Sequence, residues 1–253
     1  MRLALISDIH GNFSALQAVL TDAQRQRAEA IVCLGDVATS GPQPRQVVAE
    51  LQKVGCPCIL GNHESALLNP AVALRYQIAP TLIPSLHWTL AQLTSSDLDY
   101  MRAFKPTLEL PLGADAGLLC FHGSPLSNTD LLLAATPAED LAEMIADSRA
   151  QVFAGGHTHI QMLRQHDGKL IVNPGSVGQP FRAFPMHGAA PALLPWAEYA
   201  IVQSQGEALS VDLRRIPFDL EAYLRALADS ALPIKDWLLH EYVSARQTQA
   251  PNG

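Results

Sequence analysis

The sequence predicts an α/β domain built on parallel strands, and three observations carry that expectation. Short apolar runs alternate with amphipathic segments along the N-terminal part, the pattern of strands joined by crossover helices. Hydrophobic residues make up 48% and charged residues 16% of the 253-residue chain, enough apolar material for a sizeable core. Metal-binding residue types follow the apolar runs directly, and parallel sheets gather ligand sites at the C-terminal ends of their strands.

Each element has its own signal. RLALIS (Arg2 to Ser7) is a short apolar run with a sharp polar break, a buried strand. Asn12 then stands as N-cap before FSALQAVLTDAQRQ, where Phe13, Leu16, Val19 and Leu20 recur at helical spacing. AIVCL (Ala30 to Leu34) is a second strand, PRQVVAELQKV a helix started by Pro44, and PCIL a third strand. TLIPSLHWTLAQL and SSDLDYMRAF read as amphipathic helices, the second capped by Ser95 or Ser96. PTLEL and GLLCFHG are expected to pair as strands, followed by a helix from Pro137 to about Asp147. QVFAG, KLIVNPGS, EYAIVQ and ALSVDLRRI are further strands, the last two joined as a hairpin through SQGE. LEAYLRALADS and IKDWLLHEYV close the chain as helices. One domain over 1–243 is expected, with 244–253 a fraying tail.

Bulk properties narrow the function. A net charge of -7 argues against a broad face for nucleic-acid duplexes, yet leaves room for a small anionic substrate in a locally positive pocket. The apolar stretch Leu3 to Ile6 is too short for a signal-peptide core, and no other run could span a bilayer. A soluble cytoplasmic protein without membrane contact is expected, and a homo-oligomer stays open. Cys33 and Cys120 sit in strand-like runs as small hydrophobes. Cys56 and Cys58 stand in CPC, which lacks the Cys-x-x-Cys spacing and a second pair, so two partly buried thiols are expected.

The candidate ligands fall at five strand ends. Asp8 and His10 lie in SDIHGN, Asp36 in LGDV, Asn62 and His63 in LGNHE, His122 in CFHGS, and His157 and His159 in GGHTH. Five of the nine histidines occur in these short segments. Imidazoles and carboxylates without thiolates suit manganese, iron or zinc. Asp-x-His and His-x-His in extended backbone would each direct both side chains to a common centre. Gly11, Gly35, Gly61, Gly123, Gly155 and Gly156 are expected to let the chain turn sharply beside them. Seven ligands exceed one tetrahedral ion and suit two ions sharing a carboxylate.

Asp-x-His-Gly, Gly-Asp, Gly-Asn-His-Glu, His-Gly and Gly-His-x-His occur here in one order, from Leu3 to Gln179. On these motifs the chain resembles the calcineurin-like metallophosphoesterase superfamily. NPGSVGQP (Asn173 to Pro180) is similar to the tail motif of its small bacterial phosphodiesterase branch. The resemblance implies a four-layer α/β/β/α sandwich of two mixed sheets flanked by helices. It implies a first metal on Asp8, His10, Asp36 and His159, and a second on Asp36, Asn62, His122 and His157. The ions would be manganese first, with iron, zinc, nickel or cobalt as alternatives. A bridging hydroxide would attack a small phosphorylated substrate, with His63 protonating the leaving oxygen. Two ions, two carboxylates and the hydroxide leave the site at roughly +1, which explains anion binding by an acidic chain.

Departures shape the substrate. Protein serine/threonine phosphatases follow Gly-Asp with Val-Asp-Arg, whereas this chain reads GDVATSGPQP, with Thr39 and Ser40 in the charged places. That weakens a phosphatase reading and favours diesters or small nucleotides, since the segment resembles bacterial diadenosine-tetraphosphatase-like proteins. An arginine is expected there after Gln-Pro, but Phe181 follows and Arg182 comes one place later. Asn12 and Arg182 are candidate substrate contacts. A ligand-depleted scaffold is the competing class, and the complete ligand set favours an enzyme. RAFPMHGAAPALLPW (Arg182 to Trp196) is rich in Pro and Ala without periodicity, a long loop insert. Phe181, Phe184, Met186 and Trp196 are expected to pack over the metal edge or a second subunit.

Overall fold

The computed structural model describes residues 1–113, 116–145, 148–185, 189–206 and 208–247. The chain begins with β1 (Arg2–Ile6), α1 (Phe13–Arg25), β2 (Ala30–Cys33), α2 (Pro44–Val54) and α3 (Asn62–Leu68). Short 3-10 turns at Pro70–Tyr76 and Pro80–Leu82 lead into α4 (Ile83–Gln92) and α5 (Ser95–Arg102). Then come β3 (Leu108–Pro111), β4 (Gly117–Cys120), α6 (Ala138–Ile145), β5 (Val152–Ala154), β6 (Met162–His166) and β7 (Lys169–Asn173). β8 (Ala197–Gln205), β9 (Ala208–Ile216), α7 (Leu220–Asp229) and α8 (Lys235–Gln247) complete it.

Side-chain alternation in β1 sets up the layers. Leu3 and Leu5 enter one apolar cluster and Ala4 and Ile6 another, because successive strand residues face opposite sides. Both faces are buried, which is why the strand reads as an unbroken apolar run. The first sheet has the order β2-β1-β8-β9 and the second β3-β4-β5-β7-β6, each mixing parallel and antiparallel pairs. Leu5, Val32 and Val202 meet Leu118, Val152 and Val172 between the sheets. Burying a side chain of this kind contributes about 1.5–3 kcal/mol. Outside the first sheet, Ala4 and Ile6 pack with Leu16 and Val19 of α1 and Val47 and Leu51 of α2. Outside the second, Phe153 and Ile171 pack with Leu141 and Ile145 of α6. The two mixed sheets flanked by helices are those the family resemblance implies.

Local signals mostly hold. Asn12 Oδ1 accepts the Ala15 N–H at 3.0 Å and caps α1. Pro44 opens α2, and β3 pairs antiparallel with β4. Five expectations need correction. PCIL forms only isolated bridges, Cys33 to Cys58 and Ile59 to Lys105, since Pro57 has no N–H to donate. Thr94, one residue before the expected serines, caps α5 in a reciprocal box with Asp97. The LGNHE loop continues as α3. β6 is an edge strand whose polar residues hide it, although the Asp167-Gly168 turn, with φ of 47° and 75°, is a hairpin signal. α8 runs to Gln247, into the expected tail; 248–253, Asp147 at the end of the α6 expectation, Glu207 in the SQGE turn and Met186 in the loop lie outside the described residues.

Candidate metal centre

Turns after β1, β2, β4 and β5 bring the candidate ligands to one edge shared by both sheets. Asp8 N–H bonds Gly35 O at 2.9 Å and Gly156 N–H bonds His122 O at 2.8 Å, tying the turns together in pairs. The backbone there is not extended. Asp8, His10, Asp36, His157 and His159 take positive φ of 54°, 47°, 56°, 65° and 57°, a region that non-glycine residues enter rarely. Left-handed ligands, rather than extended pairs, therefore aim the side chains. His157 and His159 also point into different groups, contrary to the common centre their spacing suggests. Gly11 and Gly35 supply positive-φ turns as expected, but Gly61 and Gly156 supply clearance. A Cβ on Gly61 would stand 2.1 Å from Asp36 Oδ1, and one on Gly156 would stand 1.9 Å from Ser7 Oγ.

Asp8, His10 and His159 make one cluster of potential ligand atoms, and Asp36, His122 and His157 another. Each imidazole of His10, His122 and His159 bonds a backbone carbonyl through Nδ1: Thr39 O at 3.2 Å, Leu34 O at 2.7 Å and Gln179 O at 2.7 Å. A carbonyl only accepts, so each Nδ1 carries the hydrogen and Nε2 is turned to the site. His10 Nε2 and His159 Nε2 then face each other at 3.1 Å, an arrangement that needs a proton or a cation between them. The carboxylates follow the same plan. Asp8 Oδ2 accepts His157 N–H at 3.1 Å and Asp36 Oδ1 accepts His63 N–H at 3.0 Å, so the other oxygens point inward. Asp36 Oδ2 is 3.3 Å from His122 Nε2 and 3.9 Å from His10 Nε2, between the two clusters. Asn62 Nδ2 donates to Tyr76 O at 2.9 Å, which presents Oδ1 to His122 Nε2 at 3.1 Å. Asp8 Oδ1 lies 3.3 Å from His159 Nε2, and His157 Nε2 is buried without a hydrogen-bond partner among the described residues. An orphaned imidazole acceptor beside inward-facing carboxylate oxygens fits a divalent metal ion.

Charge supports the same conclusion. Burial, with His159 and His63 nearby, lowers the His10 imidazole to about 3; burial and His122 lower His157 to about 4. Both are neutral at pH 7 and hold free lone pairs. Burial opposes ionisation of Asp8, but the charge and hydrogen bond of His159 prevail and hold it at about 2. Burial likewise opposes a charge on His122, yet Asp36 pushes it up to about 10. Asp8 likewise pushes His159 up against its burial. The carboxylates thus draw positive charge to this edge, the role a divalent ion would fill.

His63 sits in this edge with Asp36 and His10, but its Nδ1 meets a side chain, the Thr39 hydroxyl, at 2.6 Å. A neutral hydroxyl is thus the partner of His63 Nδ1. Glu64, in the same motif, carries no local sequence signal of its role. It is fully buried and accepts Asp36 N–H and Val37 N–H at 2.8 Å each and Gly61 N–H at 3.1 Å, which fixes the Asp36 turn. Burial and the Asp36 charge push its carboxyl up to about 7 against the Val37 and Asp36 amides. The tail motif is a clamp. Ser176 Oγ donates to Asp8 O at 2.7 Å, Asn173 Nδ2 to Gly156 O at 2.7 Å, and Gln179 Nε2 to Ser40 O at 2.7 Å.

Neither candidate substrate contact reaches the site in the expected way. Asn12 is fully buried, with Oδ1 on Ala15 and Nδ2 on Gly178 O at 3.2 Å, so its amide is committed to holding the fold. Arg182 is exposed, and its neighbours Phe181 and Phe184 line the cavity in front of the metal edge instead. That cavity has a volume of about 660 Å³ and includes His10, Asp36, Asn62, His63, His157 and His159 in its floor. Phe184, Pro185 and Pro191 of the long loop line it, as the apolar content of the insert leads one to expect, whereas Trp196 turns away: its Nε1 donates to Glu198 Oε1 at 2.9 Å and Arg215 lies over its ring. Phe181 stacks on His159 with ring centroids 4.2 Å apart.

A family model described as the calcineurin-like phosphoesterase superfamily domain matches residues 1–190. An uncharacterized protein of Methanocaldococcus jannaschii is 25% identical over 251 residues, which cover 93% of this chain and 95% of that one. The crystal structure of a metallophosphoesterase from Sphaerobacter thermophilus superposes with a TM-score of 0.73 at 25% identity, covering 97% of this chain and 100% of that chain. A hypothetical protein from Pyrococcus horikoshii OT3 shares the fold at a TM-score of 0.80 and 19% identity, over 95% of this chain and 98% of that one.

Proposed function

The chain belongs to the calcineurin-like phosphoesterase superfamily, and we propose that it hydrolyses small phosphodiesters or nucleotides with two divalent ions, manganese foremost, at this edge. One observation carries the reading: imidazole Nε2 atoms and carboxylate oxygens converge there while their other ends are fixed to the backbone. Asp8, His10, Asp36 and His159 would hold one ion, and Asp36, Asn62, His122 and His157 the other. Bound divalent ions supply Lewis acidity and lower the pKa of water. The chain's own residues do the rest. Asp36 Oδ2 lies between the clusters and suits a bridge. His63 Nε2 faces the cavity floor 3.9 Å from Asp36 Oδ2, where it can pass a proton to a departing alkoxide. Glu64 and the tail clamp keep the turns from shifting. Thr39 gives His63 Nδ1 a neutral hydroxyl partner, which fixes the ring with Nε2 towards the cavity. Four free thiols fit a reducing cytoplasm, and among the described residues no helix is long and apolar enough to cross a membrane.

The test is a metal-by-substrate panel of monoesters, diesters, cyclic nucleotides and dinucleoside polyphosphates. Diester cleavage that appears with manganese and disappears with chelator is the expected result. A metal-loaded protein inert across the panel would instead mark a binding scaffold.

A further inference from the structure

Among the described residues, the wall of the cavity facing the metal edge carries no charge of its own. Phe181, Phe184, Pro185 and Pro191 of the loop, with Ile234 and Trp237 at the start of α8, line it. Among the described lining residues there is no lysine and no arginine, and the single carboxylate is Asp36, in the metal edge itself. The wall is also anchored. Phe181 bridges to Leu193 in an antiparallel pair, and Leu193 is buried with Tyr223, Leu227 and Tyr242 of α7 and α8. The stack of Phe181 on His159 joins this apolar surface directly to the candidate ligands.

A phosphoryl group held at the metal edge must lay its remaining substituent along this wall. An apolar or aromatic substituent gains burial and ring contacts there. A second phosphate would leave water for a surface without a counter-charge, which is unfavourable. We propose that the site selects phosphoesters by an uncharged aromatic or apolar substituent and discriminates against a second phosphate inside the cavity. This inference rests on the phosphoesterase reading above and specifies its substrate class. The cavity volume of about 660 Å³ accommodates a ring-sized group.

Direct binding tests it. Manganese-supplied protein is titrated calorimetrically with methylphosphonate, phenylphosphonate and benzene-1,4-bisphosphonate, which differ only in what the wall must receive. Phenylphosphonate should bind about tenfold more tightly than methylphosphonate, and the bisphosphonate more weakly than phenylphosphonate. Phe184→Ala and Trp237→Leu should each shrink the phenyl advantage several-fold. Phe184→Arg should reverse the order of phenylphosphonate and the bisphosphonate, a gain that misfolding cannot imitate. Equal binding of methyl and phenyl compounds, or tightest binding of the bisphosphonate by the unmodified protein, overturns the proposal. Cleavage of methyl and phenyl nitrophenyl diesters is followed in parallel. Cleavage without a phenyl preference in binding removes this inference alone; a phenyl preference in binding without cleavage removes the hydrolase reading and leaves the selectivity standing.

Discussion

At the metal edge, Asp8, His10, Asp36, His157 and His159 are held in left-handed backbone that costs roughly 1–3 kcal/mol apiece. Across the cavity, Leu193, Tyr223, Leu227 and Tyr242 form an apolar cluster, with one polar tie from the Tyr242 hydroxyl to Gly178 O, and the loop wall follows them. The edge is polar, pre-strained and fixed by hydrogen bonds to backbone; the wall is apolar and fixed by burial. Strain is sustained only where surrounding bonds over-determine it, and here Glu64 and the tail clamp supply those bonds. On the proposed reading the difference separates two tasks: the edge would set the chemistry, and the wall what the chemistry is applied to.

The largest expected effect breaks the edge at its shared carboxylate. Asp36→Asn should reduce turnover to the rate seen in chelator and lower occupancy of both clusters, as measured by metal analysis and ester hydrolysis. Next, His63→Ala should retain the metals yet lose about 10²–10⁴-fold on esters with alkoxide leaving groups. Nitrophenyl esters, whose leaving group departs without a proton, should lose far less. Equal losses on both would mean that His63 orients the site instead.

On the other side of the comparison, Leu193→Ala should cost about 2–5 kcal/mol in denaturant unfolding, with metal content unchanged. A concurrent loss of metal would show that the wall supports the edge after all. The smallest effect concerns support for a ligand. Glu64→Gln should weaken metal affinity or activity about 10–100-fold, because one of the two oxygens that accept the Asp36, Val37 and Gly61 amides becomes an NH2 donor. A variant indistinguishable from the parent in a metal titration would assign that support elsewhere.

The edge was legible because its chemistry is local. Asp-x-His, Gly-Asp and Gly-His-x-His each follow an apolar strand, so motif and topology coincide. Their backbone geometry was not legible, since left-handed φ at Asp8 or His159 follows from tertiary bonds rather than from intrinsic preference. Glu64 stood inside a recognised motif, but its role depends on three amides, two of them from Asp36 and Val37, far along the chain. The wall was half legible. The loop's apolar content implied packing, yet the Phe181–His159 stack and the Ile234 and Trp237 contribution need the fold. β6 was missed because an edge strand tolerates polar residues that erase its apolar signal.

The central claim is that this edge is a two-ion centre, and the direct measurement is metal stoichiometry. Protein purified without chelator and supplied with manganese is freed of unbound metal and analysed by elemental analysis. Occupancy approaching two ions per chain, falling towards one in His159→Ala, is what the geometry predicts. A single ion per chain, unaffected by loss of His159, would contradict it.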